Sequence, residues 1–422
     1  NQPGTPKLEV QGEYDATTQV YRLNLKQSLK SNAKYPNLKA LPIPVALALF
    51  NAETGEQYIL QSEALVENSV KDGVYLFDQA QASIEFSGVT AHPVVSLLRN
   101  FSAPVNLEFN YSNDELAFLM QHETNGFNQW QATQTLLERI LLEEHAADTY
   151  LQAMKNTVPA LIEKDPLLAS RIFDVPSESY LGSRIDQNYQ PEKIQQQRNA
   201  LLDRLARELG AFCKETFLSL DPDMQQDFSQ AMGVRALKNI MLALIARQGD
   251  AEAFELAQQQ YQTTRNMSER LGALRVLVWN DAPQAKAALE DFYTRFKDEA
   301  LALDQWFMVQ ASHPKATAET IQALTAHPDY DLGTPNRIRS VSGGLNSNPV
   351  NTWSFGVQHF IDLAKYLDEK NPIVGARLLQ VLSRWYTLAE PQRSQVRAAL
   401  VGLQSVVKSK NVVETLNSML DV

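Results

Sequence analysis

The sequence predicts a multidomain β + α chain: a small antiparallel β-sandwich over residues 1–101, then a large all-α superhelix of the HEAT or armadillo kind over residues 102–422. Three observations lead there. Apolar residues recur with period two through the first hundred or so positions, and with a period of about 3.6 from Ser112 to the C-terminus. At 422 residues the chain also exceeds the roughly 250–300 at which one hydrophobic core stops growing, so it divides into domains.

In the first part, alternation occurs over residues 7–10, 21–25, 58–61 and 83–86, as in Tyr21-Arg22-Leu23-Asn24-Leu25. Period two sends successive side chains to opposite faces of a strand, one toward a core and one toward water. The continuous apolar run over residues 44–50 reads as a central strand buried on both faces, and Asn51-Ala52-Glu53-Thr54-Gly55 as a hairpin loop after it. Roughly six to eight such strands in about 100 residues make a sandwich.

The second part opens at Ser112-Asn113-Asp114-Glu115, a capping-box pattern. Leu116, Leu119 and Met120, then Trp130, Leu136, Leu137, Ile140 and Leu141, recur at helical spacing. Further helix starts are expected where a polar cap precedes proline, at Asp165-Pro166, Asp221-Pro222, Asn348-Pro349 and Asn371-Pro372. The segments beginning at Arg235 and Arg270 resemble each other, 35 residues apart, an interval that suits a stacked helix-pair unit.

Composition excludes several classes. With 44% apolar and 21% charged residues the chain is an ordinary globular one. Its net charge of −11 opposes binding to phosphate backbones and anionic lipid surfaces, so neither nucleic acid nor a membrane is an expected partner. The longest apolar runs, residues 44–50 and 241–246, fall short of the roughly 20 residues that cross a bilayer. The single cysteine, Cys213, rules out an intrachain disulfide framework, fits a reducing compartment, and sits in an apolar helical stretch where an inert buried thiol is expected. The opening Asn1-Gln2-Pro3-Gly4-Thr5-Pro6 reads as a linker from a longer polypeptide.

No complete catalytic motif is found. His122-Glu123 begins like His-Glu-x-x-His, in which histidines four apart on one helix face share a zinc ion, but position 126 is glycine. His145 has no His or Cys partner at helical spacing; His92, His313 and His327 each precede proline and read as turn residues; His359 reads as packed on an apolar helix. The sequence has no Gly-x-Ser-x-Gly elbow and no phosphate-binding glycine loop. Ser342-Gly343-Gly344 reads as a loop or helix terminus, and Glu143-Glu144 and Asp329/Asp331 as surface charges. The chain by itself is therefore expected to have no catalytic residues and no metal site.

Three stretches carry a family resemblance. They run from Phe101-Ser102-Ala103-Pro104-Val105 through His122-Glu123 to Trp130, from Leu303-Asp304-Gln305-Trp306 to Ala311, and over Thr334-Pro335-Asn336-Arg337-Ile338-Arg339-Ser340 with Ser347-Asn348-Pro349 following. In order and spacing they are similar to the C-terminal half of bacterial aminopeptidase N, a gluzincin zinc metallopeptidase family. The chain departs from that pattern at Gly126 and Gln129, where the family usually shows Asp and Arg.

The resemblance implies a non-catalytic region that closes and lines the substrate chamber of a cytoplasmic zinc aminopeptidase. The zinc site and the Gly-x-Met-Glu-Asn motif would lie in the preceding domains of the same polypeptide, which would be this chain's partners together with small peptides. It also implies that Arg339 and Arg377 project into the chamber on the side of the peptide C-terminus. A guanidinium suits that place because it stays charged and grips a carboxylate in a bidentate fork. Residues two apart on a helix point about 200° from each other, so Arg337 and Arg339 do not face one chamber, and Arg337 is the structural candidate. The alternative reading is a stand-alone α-solenoid scaffold for protein partners.

Overall fold

A computed structural model describes residues 3–31, 38–60, 70, 72–225 and 227–421. The chain forms two compact units, residues 1–173 and 174–422. The first contains seven named strands: β1 (Lys7–Asp15), β2 (Val20–Ser28), β3 (Ile43–Asn51), β4 (Val74–Phe77), β5 (Gln81–Ser87), β6 (Pro93–Leu97) and β7 (Asn106–Glu108). They make a four-stranded sheet, β5-β2-β1-β7, and a three-stranded sheet, β4-β3-β6. All pairings are antiparallel except β1 with β7, which runs parallel.

Alternation becomes burial here. Leu8 and Val10 of β1, Tyr21, Leu23 and Leu25 of β2, and Ile84 and Phe86 of β5 point into one core with Val45, Leu47 and Leu49 of β3. The apolar run does form the central strand of its sheet. Gln27 is the polar intruder, and it is fully used: Nε2 donates to the carbonyls of Leu41 (2.9 Å) and Gln79 (2.8 Å), while Oε1 accepts from Leu41 N (2.8 Å).

One expected strand is reduced. Asn51 Oδ1 accepts from the amides of Glu53 and Thr54 and turns the chain, yet the return segment pairs only by an isolated bridge at Gln57 and a Tyr58 N to Leu49 O bond of 2.8 Å. Gln61, the end of that expected strand, lies outside the described residues, as do Asn1 and Gln2. β7 lies beyond residue 101, so strand pairing continues past the expected domain boundary.

Four helices complete the first unit: α1 (Asn113–His122), α2 (Gly126–Leu142), α3 (Asp148–Lys164) and α4 (Pro166–Phe173). Ser112 and Glu115 close the capping box at the start of α1. Between α1 and α2 the Glu123 side chain is fully enclosed and accepts from Arg99 Nη2 at 2.7 Å and from the Asn125 amide at 2.8 Å. Gln129, at the position where the resembled family shows Arg, donates instead to the Met120 carbonyl at 2.7 Å. Asn128 Nδ2 reaches Ser96 Oγ and the Leu97 carbonyl of β6, tying α2 to the sandwich. These links explain why α1 to α4 share a compact unit with the strands.

The second unit is helical: α5 (Glu178–Ser183), α6 (Pro191–Ser219), α7 (Phe228–Ala246), α8 (Ala251–Thr263), α9 (Met267–Trp279), α10 (Ala285–Phe296), α11 (Ala300–Ala311), α12 (Ala318–Thr325), α13 (Pro335–Asn346), α14 (Pro349–Asn351), α15 (Val357–Lys370), α16 (Pro372–Leu379), α17 (Gln392–Gln404) and α18 (Lys410–Leu420). The similar segments of α7 and α9 bracket α8 as one helix pair. Asp165-Pro166 and Asn371-Pro372 open α4 and α16, with each cap side chain accepting from the amide three residues on. Asp221-Pro222 opens only a single 3₁₀ turn. Asn348-Pro349 opens the short α14, which passes through a π-helical turn at Thr352–Gly356 into α15.

Ser342-Gly343-Gly344, expected as a loop or a helix terminus, is the second of these: the three residues lie in the closing turns of α13, and Ser342 is buried. Close packing supplies the reason: a Cβ on Gly344 would stand 2.7 Å from Ala311 Cβ and 3.0 Å from the Met308 carbonyl of α11. The glycine lets two helices touch.

Candidate functional site

Arg339 lies on α13, whose first turn Pro335 pre-sets. Its Nε donates to the Pro335 carbonyl at 3.2 Å and one Nη to Asn336 Oδ1 at 3.0 Å, so the guanidinium is held against its own helix while the side chain stays exposed. Two of its five N–H donors are thereby used and the rest remain available. It borders a hollow of about 950 Å³ between α9, α10, α11 and α13, floored by Met267, Leu271, Phe296, Leu301 and Met308. Leu301 is 76% exposed, an apolar side chain left open to the hollow.

Arg337 faces the other way, as the helical period requires. It is buried; Nε contacts Asp304 Oδ1 at 2.6 Å, Nη1 donates to the Asp329 carbonyl, and the guanidinium carbon stands 5.1 Å from the Phe307 ring centroid. That set of partners ties α13 to α11 and serves packing.

Arg377 is on α16, exposed, with no hydrogen-bond partner among the described residues. It does not border the hollow of Arg339. The two arginines are thus both accessible, and the hollow that Arg339 borders is not lined by Arg377.

The metal donors do not converge. Among the described residues no group of three His, Cys, Asp or Glu side chains could hold a metal ion. His122 stacks on Phe118 at 4.4 Å between centroids, and burial lowers its pKa. Its ring also crowds Gly55, where an added Cβ would stand 2.2 Å from Nδ1. Its neighbour Glu123 is committed to Arg99.

His145 contacts Glu143 at 3.0 Å, His313 contacts Asp281 at 3.0 Å, His92 packs edge-on against Tyr14, and His327 sits among Tyr293, Trp306 and Phe307. His359 is packed, with Ser342 Oγ 3.3 Å from Nε2, and burial drives its pKa down to about 4. Burial pushes the Cys213 thiol up to about 12, so it is an inert thiol in a helix core. Asp329 accepts from the Tyr293 hydroxyl, and Asp331 from Thr334 Oγ1 and the Gly333 amide, so this carboxylate pair is spent on turns.

Comparison with known proteins follows this division. Residues 113–421 match the family described as "Domain of unknown function (DUF3458_C) ARM repeats", and residues 4–110 match its companion described as "Domain of unknown function (DUF3458) Ig-like fold". The chain belongs to this family. It is 30% identical to Aminopeptidase N of Escherichia coli over 96% of its own length and 48% of that protein's. It is 27% identical to Aminopeptidase N of Haemophilus influenzae, over all of this chain and 49% of that one. A third relative, Aminopeptidase N of Caulobacter vibrioides, is 30% identical over 82% of this chain and 42% of its own.

The chain therefore spans about half the length of the curated relatives it matches, and it fits their C-terminal half. A crystal structure of Legionella pneumophila aminopeptidase A in complex with aspartic acid shares the fold, with a TM-score of 0.82 at 24% identity, covering 100% of this chain and 49% of that one.

The floor of the hollow escaped the sequence reading. Met267, Leu271 and Met308 are ordinary helix residues by periodicity, and only assembly of α9 beside α11 and α13 makes them one surface. Leu301 left the one signal, a large apolar residue in the first turn of α11 at a place the core does not reach.

Proposed function

We propose that this chain is the non-catalytic C-terminal region of a zinc-dependent aminopeptidase, closing and lining the chamber in which N-terminal residues are removed from small peptides. The observation that carries the reading is the match to Aminopeptidase N along nearly the whole of this chain and about half of the relative. The zinc ligands would belong to the other half, because among the described residues no three His, Cys, Asp or Glu side chains come together to fit a metal. The partners are then the N-terminal and catalytic parts of the same polypeptide, and the compartment is the reducing cytoplasm, in keeping with a lone, buried Cys213.

Within this role Arg339 and Arg377 are chamber-wall cations that hold the C-terminal carboxylate of a peptide. Both are exposed, and neither is neutralised by a carboxylate of the described residues. The test compares substrates in the full-length enzyme. A charge-assisted hydrogen bond contributes about 1.5–3 kcal/mol, so Arg339→Ala is expected to lower kcat/KM for peptides with a free C-terminus roughly 10- to 100-fold. Aminoacyl-anilides, which have no such carboxylate, should change little. An equal loss on both classes contradicts the assignment and makes Arg339 a structural residue.

A further inference from the structure

The hollow beside Arg339 is built from three helix faces. Met267 and Leu271 of α9 stand four residues apart, Leu301, Gln305 and Met308 of α11 follow at spacings of four and three, and Asn336 and Arg339 of α13 stand three apart. Such spacings put each set on one side of its helix, and all three sets line the same space. Phe296, the last residue of α10, completes the wall.

These faces divide by chemistry. The α9 and α11 side is apolar and open to water: Leu301 is 76% exposed and Met267 37%. Covering such side chains is favourable in proportion to the apolar area removed from water. The α13 side is cationic, because Arg339 keeps free N–H donors after its bonds to the Pro335 carbonyl and Asn336 Oδ1, and no carboxylate of the described residues pairs with it. Two carboxylates line the hollow. Asp304 is neutralised by Arg337, whereas Glu299 is exposed and unpaired among the described residues, so a second negative charge on a ligand would meet repulsion there. A ligand that matches both sides is an apolar side chain with one free carboxylate next to it, and a volume of about 950 Å³ leaves room for it.

We propose that this hollow is an apolar subsite for the last residue of a peptide, seating a side chain such as leucine against Met267, Leu271, Leu301 and Met308 while Arg339 holds the adjacent carboxylate. The proposal rests on the chamber reading of Arg339 and deepens it by naming the substrate class: peptides with an apolar C-terminal residue, in preference to polar or acidic ones. Methionine suits such a wall, since its unbranched thioether repacks around apolar groups of different shape. The subsite takes the end of the peptide remote from the bond that is broken, so its effect falls on binding.

The test titrates the 422-residue chain, labelled with ¹³C at its methionine methyls, with acetyl-Gly-Leu, acetyl-Gly-Asn and the C-terminal amide of acetyl-Gly-Leu, up to about 10 mM, a range suited to millimolar affinities. Leucine and asparagine side chains have nearly the same shape, so their comparison isolates polarity. The chain has eight methionines, and Met267→Leu and Met308→Leu assign the two signals of the hollow. Both signals should shift, with acetyl-Gly-Leu binding about tenfold more tightly than acetyl-Gly-Asn. Leu301→Ser is expected to cut that ratio to about threefold or less, and Leu301→Met to restore it. Because Leu301 is mostly exposed, neither variant should change the urea midpoint of unfolding.

Equal affinity for the leucine and asparagine peptides, a ratio untouched by Leu301→Ser, or a titration that leaves both methionine signals in place overturns the proposal. The amide separates it from the reading on which it rests. If acid and amide bind alike, Arg339 does not hold the carboxylate, and the chamber reading and the subsite fall together. If the acid binds better than the amide while leucine and asparagine do not differ, the chamber reading stands and the apolar subsite alone falls. In the full-length enzyme the acetylated peptides, which have no free amino terminus to be cleaved, should inhibit with the same leucine-to-asparagine ratio; loss of the ratio there would mean that another part of the polypeptide fills the hollow, and would overturn the proposal.

Discussion

At the scale of single residues, several of this chain's ionisable side chains are spent on holding structure. Glu123 secures Arg99, Asp304 secures Arg337, and Asp368 accepts from the Lys408 and Ser409 amides and from Ser409 Oγ. His359 shows the energetic consequence most clearly. Its folded pKa of about 4 lies below the ordinary 6.5 because burial disfavours the imidazolium. Between those values the unfolded chain binds a proton that the folded chain refuses, so stability falls as pH drops through this window and is fully retained above it.

Urea unfolding of the chain should therefore lose roughly 2–3 kcal/mol between pH 7 and pH 4 from this group, and His359→Leu should flatten that slope. The lowered carboxylates, such as Asp331, whose hydrogen bond from Thr334 stabilises the ionised form, lose their contribution only at lower pH. A pH dependence unchanged by His359→Leu would assign the window to other groups.

At the scale of elements, α11 and α13 are set by a glycine whose purpose is invisible along the sequence. Gly343 and Gly344 are adjacent, yet only Gly344 is pressed against the Ala311 side chain and the backbone beside it, while Gly343 has just the tip of Met308 at 4.0 Å. A Cβ on Gly344 meets Ala311 Cβ at 2.7 Å, the Met308 carbonyl at 3.0 Å and the Ser312 amide at 3.1 Å, so Gly344→Ala should cost about 1–3 kcal/mol in overpacking against a propensity gain of at most about 1 kcal/mol. Gly343→Ala has Met308 Cε no nearer than 4.0 Å and should be neutral or stabilising. Equilibrium unfolding should show Gly344→Ala destabilised and Gly343→Ala not, and equal destabilisation of the two would contradict the close approach of α11 and α13.

The same contrast explains what was legible beforehand. Local rules, such as the capping box at Ser112, the Asp165-Pro166 and Asn371-Pro372 starts, and period two in β1, β2 and β5, act within a few residues and were readable. Arg337 and Arg339 separated as a 100° helical step demands. The segment after Gly55 alternates in sequence, but among the described residues it pairs with β3 only through the bridge at Gln57 and the Tyr58 N to Leu49 O bond, because alternation alone does not supply a strand to pair with. Ser342-Gly343-Gly344 left loop and helix terminus both open because glycine lowers helix propensity, and it lies in the closing turns of α13. The Arg339 hollow depends on four helices, α9, α10, α11 and α13, and the exposed Leu301 is the one local signal of it.

At the scale of the whole molecule, an Ig-like β domain precedes an ARM-repeat domain, and the chain corresponds to about half of each aminopeptidase N relative. Repeat arrays of helices gain stability from neighbour-to-neighbour stacking and present long walls, which suits enclosure of a site whose chemistry lies elsewhere. The central claim is that this chain supplies walls and cations and not the catalytic metal. Its most direct test is to measure the zinc content of the purified 422-residue chain and its hydrolysis of an alanyl-anilide with zinc supplied. The account predicts less than stoichiometric zinc after dialysis and no hydrolysis above the metal-only control. One tightly held zinc ion per chain together with turnover of the anilide would contradict it.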